Sequence, residues 1–83
     1  MSPNHNPKYK ILLHRLRAAR KTAGLTQAEA ARRVGQRQAF ISKVEANKRT
    51  IDPVELVELA QVYGRSIEYF LDFREPGEGG SEE

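Results

Sequence analysis

Residues 26–45, TQAEAARRVGQRQAFISKVE, constrain the fold more than any other stretch of this 83-residue chain. Thr26-Gln27-Ala28-Glu29 is a capping box: the Thr hydroxyl accepts the Glu29 N–H, and the Glu29 carboxylate reaches back to the Thr26 N–H. The helix that follows is short and ends at Gly35, a residue free to take the left-handed conformation. Another short helix is expected from about Arg37 to Ala46. Ile41 and Val44 lie on one of its faces, Gln38 and Glu45 flank that face, and Ala39, Ser42, Lys43 and Ala46 point the other way. Two short helices joined by so few residues must cross steeply. Ala31, one turn before the glycine, is small enough to let them meet, and Ile41 and Val44 then pack back onto the first of the pair. The second helix opens on Gln36-Arg37-Gln38 instead of the Ser, Thr, Asp or Asn that usually caps a helix.

Three more helices and no strand complete the reading. The first helix runs from about Lys8 to Ala23, with Leu12, Leu16, Ala19 and Ala23 at helical spacing and Gly24 as its stop. After Asn47, which tolerates the left-handed region, a fourth helix starts at Asp52-Pro53. Asp is a cap and Pro suits the first helical position. Leu56, Leu59, Ala60 and Tyr63 form its inner stripe, and Gly64 ends it. The fifth, from Ser66 to about Phe73, is expected to close the core with Ile67, Phe70 and Leu71. Tyr69 and Phe73 would lie on its opposite side. The chain thus divides into a disordered lead (1–7), one all-α domain (8–73) and an acidic, glycine-rich flexible tail (74–83).

The net charge of +3 conceals a strong asymmetry. Twelve basic residues against two acids give +10 through Thr50, and two against nine give −7 from Ile51 onward. A basic front half points to a polyanion partner; the competing reading is an ordinary solvated surface. The chain has no cysteine and only two histidines, His5 and His14. Neither a metal quartet nor a nucleophile-base pair can be assembled from such a set. An enzyme, a metal site and a cofactor are therefore not expected, and no small-molecule ligand is evident. No apolar run approaches the ~20 residues of a membrane span. A cytoplasmic location is expected.

Gln27, Ala31, Gly35, Ile41 and Val44 make a helix-turn-helix pattern. Residues 16 to 71 resemble the phage-repressor and XRE-like helix-turn-helix family. The resemblance is carried by LRAARKTAGLTQAEAARRVG, FISKVEANKR and LVELAQVYGRSIEYFL, with GLTQ and ISKVE its most specific pieces. It implies a compact five-helix, lambda-repressor-like DNA-binding domain in which the second and third helices form the motif. The third helix would enter the DNA major groove. It further implies that Arg37, Gln38 and Ala39, with Lys43 one turn on and Gln36 at the border, meet base edges. Groove chemistry agrees: Arg matches guanine, Gln matches adenine, and the Ala39 methyl can touch thymine. Lys43 could serve phosphate instead.

Phosphate contacts are implied for Gln27, Lys48 and Arg49. Phe40 either packs against the second helix, the favoured reading, or lies along the sugar-phosphate wall. Arg20 and Glu45 are implied to pair between the first and third helices, with Arg20 able to touch phosphate as well. Arg32 and Arg33 read as a solvated face of the second helix, with phosphate contact the less favoured alternative. The sequence departs from the family at Ala30, where Leu is usual, at Gln36, and at Arg37 in the place of a Ser or Thr cap. Tyr69 and Phe73 suggest a homodimer interface at the C-terminal helix, hence a pseudo-palindromic site in double-stranded DNA; the competing reading is that they merely cover the loop or the tail. The rival reading is a protein-interaction module, antitoxin-like or coactivator-like, with DNA binding secondary.

Overall fold

The computed structural model describes residues 4–73. Residues 4–7 of the expected lead are among them, and the remainder of the lead and the acidic tail lie outside the described residues. Five helices follow one another: α1 (Pro7–Thr22), α2 (Gln27–Arg33), α3 (Gln38–Glu45), α4 (Pro53–Tyr63) and α5 (Ile67–Leu71). No strand occurs among the described residues.

Local chemistry sets most of these boundaries. Asn6 caps α1 by accepting the Lys8 N–H, with Pro7 in the first helical turn. Helix α1 therefore starts one residue earlier than expected, inside the lead. Thr26 and Glu29 form a full capping box on α2, and Asp52 and Glu55 form another on α4. Between α2 and α3 the Gly35 N–H bonds Arg32 O and the Gln36 N–H bonds Ala31 O. This pair of bonds requires the left-handed residue between them, and Gly35 supplies it at φ +71°. Asn47 closes α3 in the same way at φ +59°, with Lys48 N–H on Lys43 O. Asn is the residue other than Gly that takes this region most readily.

The core is one cluster. Leu12, Leu13, Leu16 and Ala19 come from α1, Ala30 and Ala31 from α2, and Phe40, Ile41 and Val44 from α3. Leu56, Leu59, Ala60 and Tyr63 of α4 and Phe70 of α5 complete it. Helix α2 packs mainly on α3. Ala30 and Ala31 are fully buried there, so small side chains bring α2 down close to its neighbours instead of leaving a gap.

Helix α5 departs from expectation. It ends at Leu71, and Asp72 is extended at φ −88°, ψ 100°. Phe73 is therefore not one helical turn above Tyr69. It folds back and packs against the core, whereas Leu71, expected inside, is 47% exposed. The Arg15 guanidinium holds this end by donating to the carbonyls of Tyr69 and Asp72. The Tyr69 ring meets Phe70 edge-on at 4.9 Å and carries Arg65 at 4.6 Å. Tyr69 and Phe73 are thus partly buried within their own subunit.

Candidate nucleic-acid interface

Helix α3 is anchored by Phe40, Ile41 and Val44, all buried. That anchoring turns Gln38, Ala39 and Lys43 to the surface, where all three are exposed together with Gln36 and Arg37. Arg37 occupies the cap position of α3 but makes no side-chain capping bond. The start of α3 is therefore not capped by a side chain, and its polar side chains lie at the surface.

The two flanks of α3 differ. On one, Glu45 receives Arg20 Nε on Oε2 at 2.7 Å and Arg20 Nη2 on Oε1 at 3.1 Å. The Gln27 amide adds a third bond, Nε2 to Glu45 Oε1 at 3.0 Å. The side chains of the ion pair are only 9% and 7% exposed. The bond to Glu45 holds the Arg20 guanidinium above its ordinary pKa. Arg20 also donates to Leu25 O at 2.8 Å, which ties the loop before α2 to the same point. Burial pushes the nearby Tyr63 phenol up to about 12, with the Glu45 charge adding to the rise and Arg20 opposing it. Because the Gln27 amino group faces Glu45, its carbonyl is left for Gln38, whose Nε2 donates to it at 3.4 Å. That distance is at the long end for a hydrogen bond. A buried carboxylate thus sets, through one intermediary, which way the Gln38 amide is turned.

On the other flank Arg37, Lys43 and Arg49 line an open cleft of about 400 Å³ with Gly35, Ala39 and Phe40. Arg37 and Lys43 have no ion pair there among the described residues. Arg49 is engaged: its guanidinium makes two bonds of 3.0 Å to the Glu55 carboxylate and lies 4.7 Å above the Phe40 ring. Glu55 raises the pKa of Arg49, and the bond from Arg49 is the main cause holding Glu55 below the usual carboxylate range. Phe40 is 8% exposed, so packing is the role the fold gives it. Lys48 is exposed.

Four features of this region were not read from the sequence. Gln27 bonds Glu45 and Gln38, and Arg49 bonds Glu55. The Tyr9 hydroxyl accepts the Ile51 N–H at 3.1 Å. The buried Asn47 amide donates to Asn4 O at 2.7 Å, tying the N-terminal segment to the end of α3. Only the Arg49–Glu55 contact had a signal in the sequence, a basic residue six positions before an acid in a helical first turn.

A family model described as helix-turn-helix matches residues 16–70, more than half of the chain. The chain belongs to the XRE and phage-repressor-like helix-turn-helix family. No curated protein matches the sequence. Membership of a DNA-binding regulator family gives the exposed face of α3 its functional context. The five-helix all-α architecture is that of the lambda-repressor-like domain. Among the described residues, no helix is long and apolar enough to cross a membrane.

Proposed function

We propose that this helix-turn-helix protein is a sequence-specific, repressor-like regulator of transcription that works as a cytoplasmic homodimer on a pseudo-palindromic operator. Helix α3 enters the major groove, and Arg37, Gln38 and Ala39, with Lys43 and Gln36 beside them, face the base edges. Gln27, Lys48 and Arg49 contact the phosphates that set the register. Phe40 supports that wall from inside the core. The observation that carries the reading is the uncapped first turn of α3. Its long polar side chains are exposed, and Gln38 is pre-oriented by Gln27. A Gln amide held in one sense can accept from adenine N6 and donate to N7, since Nε2 carries a second hydrogen.

The dimer contact is assigned to the α5 end, where Leu71 offers free apolar surface and Tyr69 and Phe73 expose part of theirs. Two-fold pairing places the two copies of α3 about one DNA turn apart. Selection of bound sites from random duplex DNA tests the reading, with two related half-sites expected. Recovery of no preferred sequence would remove base reading. Leu71→Glu is expected to give a folded monomer by light scattering, and an unchanged mass would move the interface elsewhere.

A further inference from the structure

A helix lying in a major groove has a sugar-phosphate wall on either side. The Arg37–Lys43–Arg49 flank supplies cations for one wall. The opposite flank, built from Gln27, Gln38, Glu45 and Arg20, carries no net charge. We propose that the exposed basic row of α1, formed by Lys10, His14, Arg17 and Lys21, is the second backbone contact line of duplex DNA, beside the C-terminal end of α3. The inference rests on the DNA-binding reading above and adds residues to which that reading gives no role.

Steps of four, three and four residues bring the row to one side of the helix, and all four residues are exposed. None of them forms an ion pair among the described residues. Lys10, His14 and Arg17 form one wall of an open cleft of about 330 Å³ whose other wall is Glu45, Ala46 and Asn47. Lys21 continues the line beyond His14 and Arg17. Burial of Leu13 and Leu16 fixes the rotation of α1 and so keeps the row beside α3. At a rise of 1.5 Å per residue the row extends roughly 16 Å. One DNA strand presents a phosphate about every 3.4 Å of axis, so several successive phosphates lie within its reach.

The acid in the cleft does not oppose this use. Both oxygens of Glu45 are taken up by Arg20 and Gln27. Asn47 Oδ1 is buried there and has no hydrogen-bond partner among the described residues.

The test compares two variants that each remove two positive charges, R17A/K21A on the row and R32A/R33A on the exposed face of α2. Both are titrated with mixed-sequence duplex DNA between about 50 and 200 mM salt. The slope of log K against log salt should fall by about 1.8 in R17A/K21A, about 0.9 for each lost phosphate contact. R32A/R33A should leave it nearly unchanged. Affinity for the preferred site and for random sequence should drop in parallel. Thermal melts verify folding, and K10Q/R17Q replaces R17A/K21A if that variant melts early. An unchanged slope in the row variant, or equal changes in the two variants, overturns the row. The row is equally overturned if the variant loses polyglutamate binding yet keeps its DNA slope, which would mark an acidic-protein surface. If the parent protein shows no salt-sensitive DNA binding, the DNA reading fails and the row falls with it. Binding by the parent with an unchanged variant slope condemns the row alone.

Discussion

The two flanks of α3 bear polar and charged side chains in similar number, yet they are built on opposite principles. One is a closed network. Arg20, Glu45 and Gln27 satisfy one another at 2.7–3.1 Å, and the ion pair is more than nine-tenths removed from water. The other is an open cleft in which Arg37 and Lys43 are exposed and Arg49 is held by an acid at its rim. The closed flank bears its ordering cost during folding and can place a side chain accurately. The open flank keeps rotamer freedom, which binding must remove at roughly 0.5–1.5 kcal/mol per side chain. In the proposed role Gln38 is held by the core, whereas Arg37 and Lys43 are free to follow a phosphate.

The largest expected effect breaks the closed side. Arg20→Met leaves the buried Glu45 carboxylate uncompensated and should cost about 3–5 kcal/mol of stability, read by urea unfolding. A loss below about 1 kcal/mol would mean that the pair is effectively solvated.

Tyr63 offers a second probe of the same side. In the unfolded chain its phenol ionises near its ordinary value of 10.0, but in the fold it keeps its proton to about 12. Its contribution is complete below about pH 10 and is lost as pH rises toward 12. At 1.36 kcal/mol per pK unit this amounts to about 2–3 kcal/mol. Across this window the protein should lose stability relative to Tyr63→Phe by that amount, read by melts of the two at each pH. Parallel curves would show that Tyr63 does not titrate differently in the fold.

The third test sets the flanks against each other. Gln38→Ala should relax discrimination at one base position by about 1–3 kcal/mol, and Gln27→Ala should reproduce part of that loss without touching a base. Competition binding with single-base operator variants distinguishes the two. If Gln27→Ala lowers affinity for all sequences equally, Gln27 acts on phosphate alone.

The smallest effect belongs to the cleft. Glu55→Gln preserves the capping box, which accepts Gln as well as Glu, but removes the charge facing Arg49. Stability should fall by less than about 1 kcal/mol, as for exposed pairs, while DNA affinity rises because Arg49 is released. Unchanged affinity would make Arg49 a purely structural residue. The low pKa of Glu55 gives the sign with pH: its contribution is present above about 4.5 and is lost as pH falls through the lower folded value.

The caps and stops were legible from single residues and their near neighbours. Thr26, Gly35, Asn47, Asp52 and Gly64 stand where the helices begin or end. The buried stripe of α4 was legible from its spacing. In α5, by contrast, Leu71 and Phe73 exchanged places, because the helix stops after one turn and a half and its carbonyls are claimed by Arg15. No spacing rule along α5 contains a residue that lies 54 positions away in sequence.

The same division holds for the interface. By itself the sequence determined that α3 would present Ala39 and Lys43 outward with Gln38 at the flank, since burial of Ile41 and Val44 leaves the opposite face no other direction. Only the tertiary structure decided that Gln27 turns its amino group to Glu45, that Arg49 pairs with Glu55, and that α1 sets its basic row beside the end of α3. Helix starts, stops and faces follow from dihedral limits and hydrogen bonds spanning a few residues. The orientation of an amide or a guanidinium follows from whichever charge the packing of distant helices brings within about 3 Å.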